Sequence, residues 1–217
     1  MIRIGIDFSL NSPAVCIKNT EGEYIFISFF NFGDRIWDNT KKIPKAFQIH
    51  QELINSQTIL GFPYYRNITS NSFLFREREK LKDCKAISSL IVNSLITYFG
   101  IDKVHISLEG FSYGSTGNSF IDIVQYNSFL RADLLNTYGS DQISIFQPTH
   151  IKKLAGKGNA NKHYMIKAFQ DDIFNDYDLR NTKLWKYVQN KDFSKKIPKP
   201  LDDLVDSYFI LKAQLSN

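Results

Sequence analysis

"IRIGIDFSL", residues 2–10, alternates apolar with small or polar side chains and carries three isoleucines. A period of two over that length reads as a β-strand. One residue stands out in it. Asp7 is a carboxylate in an apolar strand, and burying a carboxylate is costly unless it is paired or bound to a cation. An aspartate at a strand end more often caps a turn, so Asp7 alone identifies no site. "SPAVCIKN" (12–19) and "EYIFISFFNF" (23–32) read as two more strands after short turns. Three strands joined this closely form an antiparallel meander.

Further along, Leu81, Cys84, Ile87, Ile91, Leu95 and Tyr98 recur at helical spacing. "KVHISLEGF" (103–111) reads as a fourth strand, and "NSFIDIVQYNSFLRADLLNTYG" (118–139) as an amphipathic helix closed by glycine. "QISIFQP" (142–148) is a fifth strand stopped by proline. A short and a longer helix follow, then an irregular region over 176–200, and "LDDLVDSYFILKAQL" (201–215) is the last helix. Within 34–75, "IPKAFQIHQELINSQ" fits a helix and "GFPYYRNITSNS" a loop. The order β-β-β-α-β-α-β-α is that of the ribonuclease H-like α/β fold, a five-stranded mixed sheet flanked by helices. The expectation is one domain over 1–217, with an insertion around 34–75.

Composition narrows the function. Hydrophobic residues make up 43% and charged residues 23% of the chain, as in ordinary globular proteins. No apolar run is long enough to span a bilayer, and the opening residues read as strand, not as a secretory leader. No membrane partner and a cytoplasmic location are expected. Cys16 and Cys84 provide neither a disulfide framework nor a zinc site. The net charge of +5 is compatible with a polyanionic partner.

Four carboxylates stand at telling places. Asp7 is in the first strand. Glu109 ends the fourth, before the glycine-rich "GFSYGSTG", where open sheets place ligands. Asp203 and Asp206 lie three apart in the last helix and share a face. Asp202 and Asp203 also fall in the first turn, where the helix dipole favours acids, so N-terminal capping is the bland reading of this helix. Taken together, the four suit a two-metal nuclease site. Magnesium takes hard oxygen ligands and leaves room for water and phosphate. Two ions roughly 3.5–4 Å apart activate a water and stabilise a leaving oxygen.

"PTHIKKLAGKGNANKHYM" (148–165) places four lysines and two histidines around two glycines, ahead of a helix. Glycines let a backbone approach phosphate, lysines offset its charge, and a helix N-terminus adds free N–H groups. With "IGIDFSL", "LEGFSYGSTGNSF" and "DDLVDSYFIL", this segment resembles RuvC-type Holliday junction resolvases, above all their bacteriophage relatives. The resemblance covers 1–14, 105–165 and 201–211, and leaves 34–75 and 176–199 without a role. It implies that Asp7, Glu109, Asp203 and Asp206 hold two Mg²⁺ ions, with Mn²⁺ able to substitute, and that Lys162 acts beside the scissile phosphate. Lys152 or Lys153 matches a second basic position, and Lys157 is a further phosphate contact. Phe111 or Tyr113 takes the place of an aromatic that stacks on bases at the junction. The implied protein is a homodimer, with Phe120, Val124, Phe129 and Leu135 on a candidate interface helix. It nicks four-way junctions symmetrically, acts also on flaps and forks, and leaves 5′-phosphate and 3′-hydroxyl ends. If phage-encoded, it works in the host cytosol. Two rival readings are a nuclease acting on RNA–DNA hybrids and a protein that binds branched DNA without cutting it.

Overall fold

A computed structural model describes residues 1–31, 44–66, 68, 71–111 and 118–216. The strands are β1 (Ile2–Asp7), β2 (Ala14–Lys18), β3 (Tyr24–Asn31), β4 (Leu60–Tyr64), β5 (Val104–Glu109) and β6 (Ile143–Phe146). The helices are α1 (Lys45–Asn55), α2 (Phe73–Phe99), α3 (Asn118–Tyr138), α4 (Pro148–Leu154), α5 (Lys162–Gln170), α6 (Tyr177–Asn181), α7 (Lys183–Val188) and α8 (Leu201–Leu215). The sheet runs in the order β4-β3-β2-β1-β5-β6. The first three strands are the expected antiparallel meander, and β5 and β6 add in parallel beyond β1.

The sheet has six strands, not five. The segment expected to be a loop supplies β4, which pairs in parallel with β3. Its five residues include Gly61 and Pro63, which mask the strand signal. An edge position tolerates proline because one side of the strand needs no partner. The region expected to be irregular over 176–200 holds two short helices. Asp176 and Thr182 cap them, each accepting a hydrogen bond from a backbone N–H.

Alternation within the strands sorts the core into two layers. Val15 and Ile17 of β2 face α2 and α3, while Ala14 and Cys16 face α8 and its neighbours. On β1, Ile4 and Ile6 join the α2–α3 side. Period two therefore sends Gly5 and Asp7 to the α8 side. On β5, Val104, Ile106 and Leu108 face α2 and α3, which turns Glu109 to the α8 side as well. Of the helical stripe on α2, Cys84, Ile87, Ile91 and Leu95 are buried, and Leu81 and Tyr98 at its ends are exposed.

α8 comes unusually close to β1. A Cβ on Gly5 would lie 2.4 Å from the Ser207 carbonyl oxygen and 2.5 Å from the Leu211 nitrogen. Only glycine permits that approach. It brings the start of α8 over the end of β1.

The end of β4 and Arg66 just after it tie α2 and α3 to the β1–β2 turn. Arg66 Nε donates to Asp83 at 2.9 Å, and its Nη2 donates to the Tyr126 hydroxyl at 3.0 Å. The Tyr126 hydroxyl in turn donates to Asp83 at 2.6 Å. The Tyr64 hydroxyl donates to the Leu10 carbonyl at 2.7 Å. Removing one member of a buried charged network leaves the other uncompensated. Asp83→Ala is expected to lower stability by about 3–5 kcal/mol, seen as an earlier urea midpoint with an unchanged slope.

Candidate active site

β1 and β5 run in parallel, with Ile6 opposite Leu108, so Asp7 and Glu109 end neighbouring strands at one edge and on one face. The first turns of α8 cross that edge and carry Asp203 and Asp206. Asp7 feels the other three carboxylates, and Asp206 feels Asp203 and Glu109. Burial pushes Asp7 well above the usual carboxylate range, and Asp203, Asp206 and Glu109 push it further. Asp206 is pushed up to about 7, by burial first and then by Asp203. Burial also raises Glu109, against a smaller opposing pull from Lys152. Asp203 is raised by burial, with Lys199 pulling the other way.

The first-turn acids of α8 are not helix caps. Pro200 precedes the helix and no side chain caps it. Lys162 and Lys199 bond the acids instead. Lys162 Nζ donates to Asp202, and Lys199 Nζ donates to Asp203 and lies 3.1 Å from Asp202. Asp203 also accepts from Ser12, and from Ser9 at 3.4 Å, so the β1–β2 turn holds it in place. Burial works against the charge on Lys199, but Asp203 and Asp202 outweigh it and raise its pKa.

Around this cluster the other expected residues separate. Glu109, Lys152, Lys162 and Asp206 line one cavity of about 300 Å³. Lys153 lies off that cavity, packed against Gly158. Lys157 extends over the Tyr164 ring, 4.2 Å from its centroid. Phe111 lines a second cavity with Asp7 and Glu109. The Arg131 guanidinium covers the Phe111 ring at 4.1 Å and donates to the Glu109 carbonyl at 2.7 Å. Tyr113 lies outside the described residues. On α3, Phe120, Val124 and Phe129 are half-buried and Leu135 is exposed.

No protein-family model matches the chain, and no curated protein sequence does. Solved structures do. The fold is that of the yeast mitochondrial Holliday junction resolvase Ydc2. The two align with a TM-score of 0.52 over 97% of this chain and 76% of Ydc2, at 14% identity. RuvC of Thermus thermophilus aligns at 0.47 over 100% of this chain and 97% of its own, at 11% identity. The same protein in complex with Holliday junction substrate aligns at 0.44, with 12% identity and 96% of its own chain covered. Identities this low establish an architecture shared with Ydc2, and the chemistry has to be argued from the side chains.

Sequence reasoning missed Ser9, Ser12, Arg131, Lys199 and Asp202. None has a local signature. Ser9 and Ser12 look like turn residues, and Asp202 and Lys199 look like a helix start. Ser9 and Ser12 gain Asp203 where α8 meets the β1–β2 turn, Asp202 gains Lys162 from α5, and Arg131 gains Phe111 and the Glu109 carbonyl.

The donor set suits a hard divalent cation, since it is all carboxylate oxygen and its members repel one another. Among the described residues, no three such side chains form a ready-made group around one ion. Magnesium needs only one or two protein carboxylates, with water and phosphate completing its shell. The repulsion has a measurable consequence. The folded protein keeps a proton on Asp206 up to about pH 7, while the usual value is 3.8. Between those values the folded state binds more protons than the unfolded chain, so stability falls as pH rises. In EDTA the thermal midpoint is expected to drop between pH 5 and 7.5, and Mg²⁺ is expected to restore it. Asp206→Asn is expected to be about 1–3 kcal/mol more stable than the parent at pH 7.5 in EDTA. A variant less stable than the parent would make Asp206 a structural acid.

Proposed function

We propose that the protein is a metal-dependent endonuclease that cuts four-way and other branched DNA. One observation carries this reading. Asp7 of β1, Glu109 of β5 and Asp203 and Asp206 of α8 bring four carboxylates to one end of the sheet, and lysines flank them. Two Mg²⁺ ions, or Mn²⁺ in their place, bound by Asp7, Glu109, Asp203 and Asp206 would supply an activated water for in-line attack and neutralise the leaving oxygen.

The side chains of this chain do the rest. Lys162 and Lys152, on the wall of the Glu109–Asp206 cavity, hold the phosphate and offset its charge. Lys157 and Lys153 meet the backbone further out. Phe111, held flat under Arg131, offers a face on which an unpaired base stacks, a contact worth roughly 1–3 kcal/mol. Ser9 and Ser12 fix the Asp203 carboxylate, so one ligand is preset before a cation arrives. The products are a 5′-phosphate and a 3′-hydroxyl.

A homodimer matches the two-fold symmetry of an open junction. Phe73, Leu74 and Phe75 at the start of α2, and Ile121 and Leu135 on α3, are exposed apolar groups on the side away from α8. Motif style places the chain beside the phage resolvases, working in the cytosol of a bacterial host. Among the described residues no helix is long and apolar enough to cross a membrane.

The test is a panel of labelled substrates of equal arm sequence: a four-way junction, a flap, a linear duplex and an RNA–DNA hybrid, each with Mg²⁺ or EDTA. Metal-dependent cutting of the branched substrates in preference to the duplex is the expected result. Faster cutting of the hybrid would make the protein a ribonuclease. Tight junction binding without cutting in Mg²⁺ or Mn²⁺ would make it a binding protein.

A further inference from the structure

We propose that the cleft between α1, α5 and the segment entering α8 is a second nucleic-acid backbone site, which holds the strand beyond Lys162. The inference rests on the nuclease reading and adds residues from the two regions to which the motifs give no role. Lys45, Lys162, His163, Lys195, Lys196 and Lys199 line a cleft of about 510 Å³. Its one carboxylate, Asp202, is already bonded by Lys162 and Lys199. Among the described residues Lys45, Lys195 and Lys196 have no acidic partner, so their charge is available to a ligand.

Backbone geometry adds to that charge. Lys45 and Ala46 open the eleven-residue α1, and Pro44 before them makes no side-chain cap. Lys162 and His163 open the nine-residue α5, where the Asn161 side chain accepts only from the Tyr164 N–H. α8 begins at the same cleft, also without a side-chain cap. The N-termini of α1 and α5 therefore lie at one space, where their first N–H groups and the positive ends of their dipoles favour an anion. Ile197 and Pro198 add an apolar wall against which a sugar can lie.

The ligand follows from how the cavities connect. Lys162 lines both this cleft and the cavity holding Glu109 and Asp206. Glu109 in turn lines the cavity with Asp7 and Phe111. One track thus runs from the aromatic ring past the carboxylates into the lysines. A polymer of phosphodiesters fits such a track along its length, whereas free phosphate would occupy one point of it.

The experiment is equilibrium binding of a labelled four-way junction in EDTA over a range of salt. Lys195→Ala/Lys196→Ala is compared with Lys82→Ala/Lys186→Ala, which removes the same charge from exposed positions elsewhere. If both cleft lysines meet phosphates, the slope of log affinity against log salt falls by about 1.4 for a single strand and about 1.8 for a duplex. The control pair is expected to leave the slope within error of the parent. Equal slopes for the two pairs, with the parent binding and cutting junctions, would overturn the site and leave the nuclease reading standing. A parent that binds no junction would overturn both. Pyrophosphate is the second arm. Displacement of the junction by pyrophosphate at micromolar concentration, lost in Lys195→Ala/Lys196→Ala, would assign the cleft to a small polyphosphate instead of a strand.

Discussion

Glu109→Gln is expected to lower the rate of junction cleavage at least about 10³-fold, a rise of about 4 kcal/mol in the barrier, while junction binding in EDTA is kept or tightened. The substitution preserves the shape of the side chain and the backbone carbonyl that accepts from Arg131. It removes one negative charge from a site that must receive a phosphate. A group that only held the fold would lose stability on such a change, and binding would fall with it. A group that holds a cation loses the cation instead, so cleavage falls alone. Single-turnover cleavage in Mg²⁺ beside binding in EDTA separates the two. Cleavage within tenfold of the parent would remove Glu109 from the proposed site. Because burial raises the Glu109 carboxyl, cation binding by the parent must compete with a proton. Cleavage at limiting Mg²⁺ is therefore expected to rise with pH as that proton is lost.

Gly5→Ala is expected to destabilise the protein by about 3 kcal/mol or more, as overpacking against an element that cannot yield. The added methyl would meet the backbone of α8 at Ser207 and Leu211, and the Leu211 Cβ at 2.8 Å. No rotamer change relieves a contact with backbone. The helix must move away from β1, and Asp203 and Asp206 move with it away from Asp7. The variant is thus expected to lose both thermal stability and cleavage, whereas Asp206→Asn gains stability in EDTA and loses cleavage. Urea denaturation and junction cleavage on the two variants check this opposition. A Gly5→Ala protein of parental stability would mean that α8 sits further from the sheet than described.

Strand alternation was legible because it follows from a period of two. In the folded sheet the same period sets Ile4 and Ile6 in one layer and turns Asp7 to the other side. β4 was not legible. Five residues with a glycine and a proline carry too little β signal, and its place depends on β3 offering an open edge. Nothing local to Arg66 and Tyr64 marks their place in the fold. They are internal ties, since Asp83 and Tyr126, distant in sequence, close around the guanidinium. Lys152 and Lys153 were indistinguishable as neighbours on one short helix. Only the position of that helix against Glu109 separates them, by turning Lys152 toward the cavity.

Which residues carry charge where an apolar side chain is the rule, and how strands and helices follow one another, can be read along the chain, because periodicity and the desolvation of a carboxylate are local properties. The tertiary structure alone decided which charges meet. The closeness of α8 to Gly5, the bond from Lys162 to Asp202 and the basic cleft beside α1 all join residues far apart in the chain. No local pattern records such contacts, since their energies depend on distances that exist only after the sheet and its helices have packed.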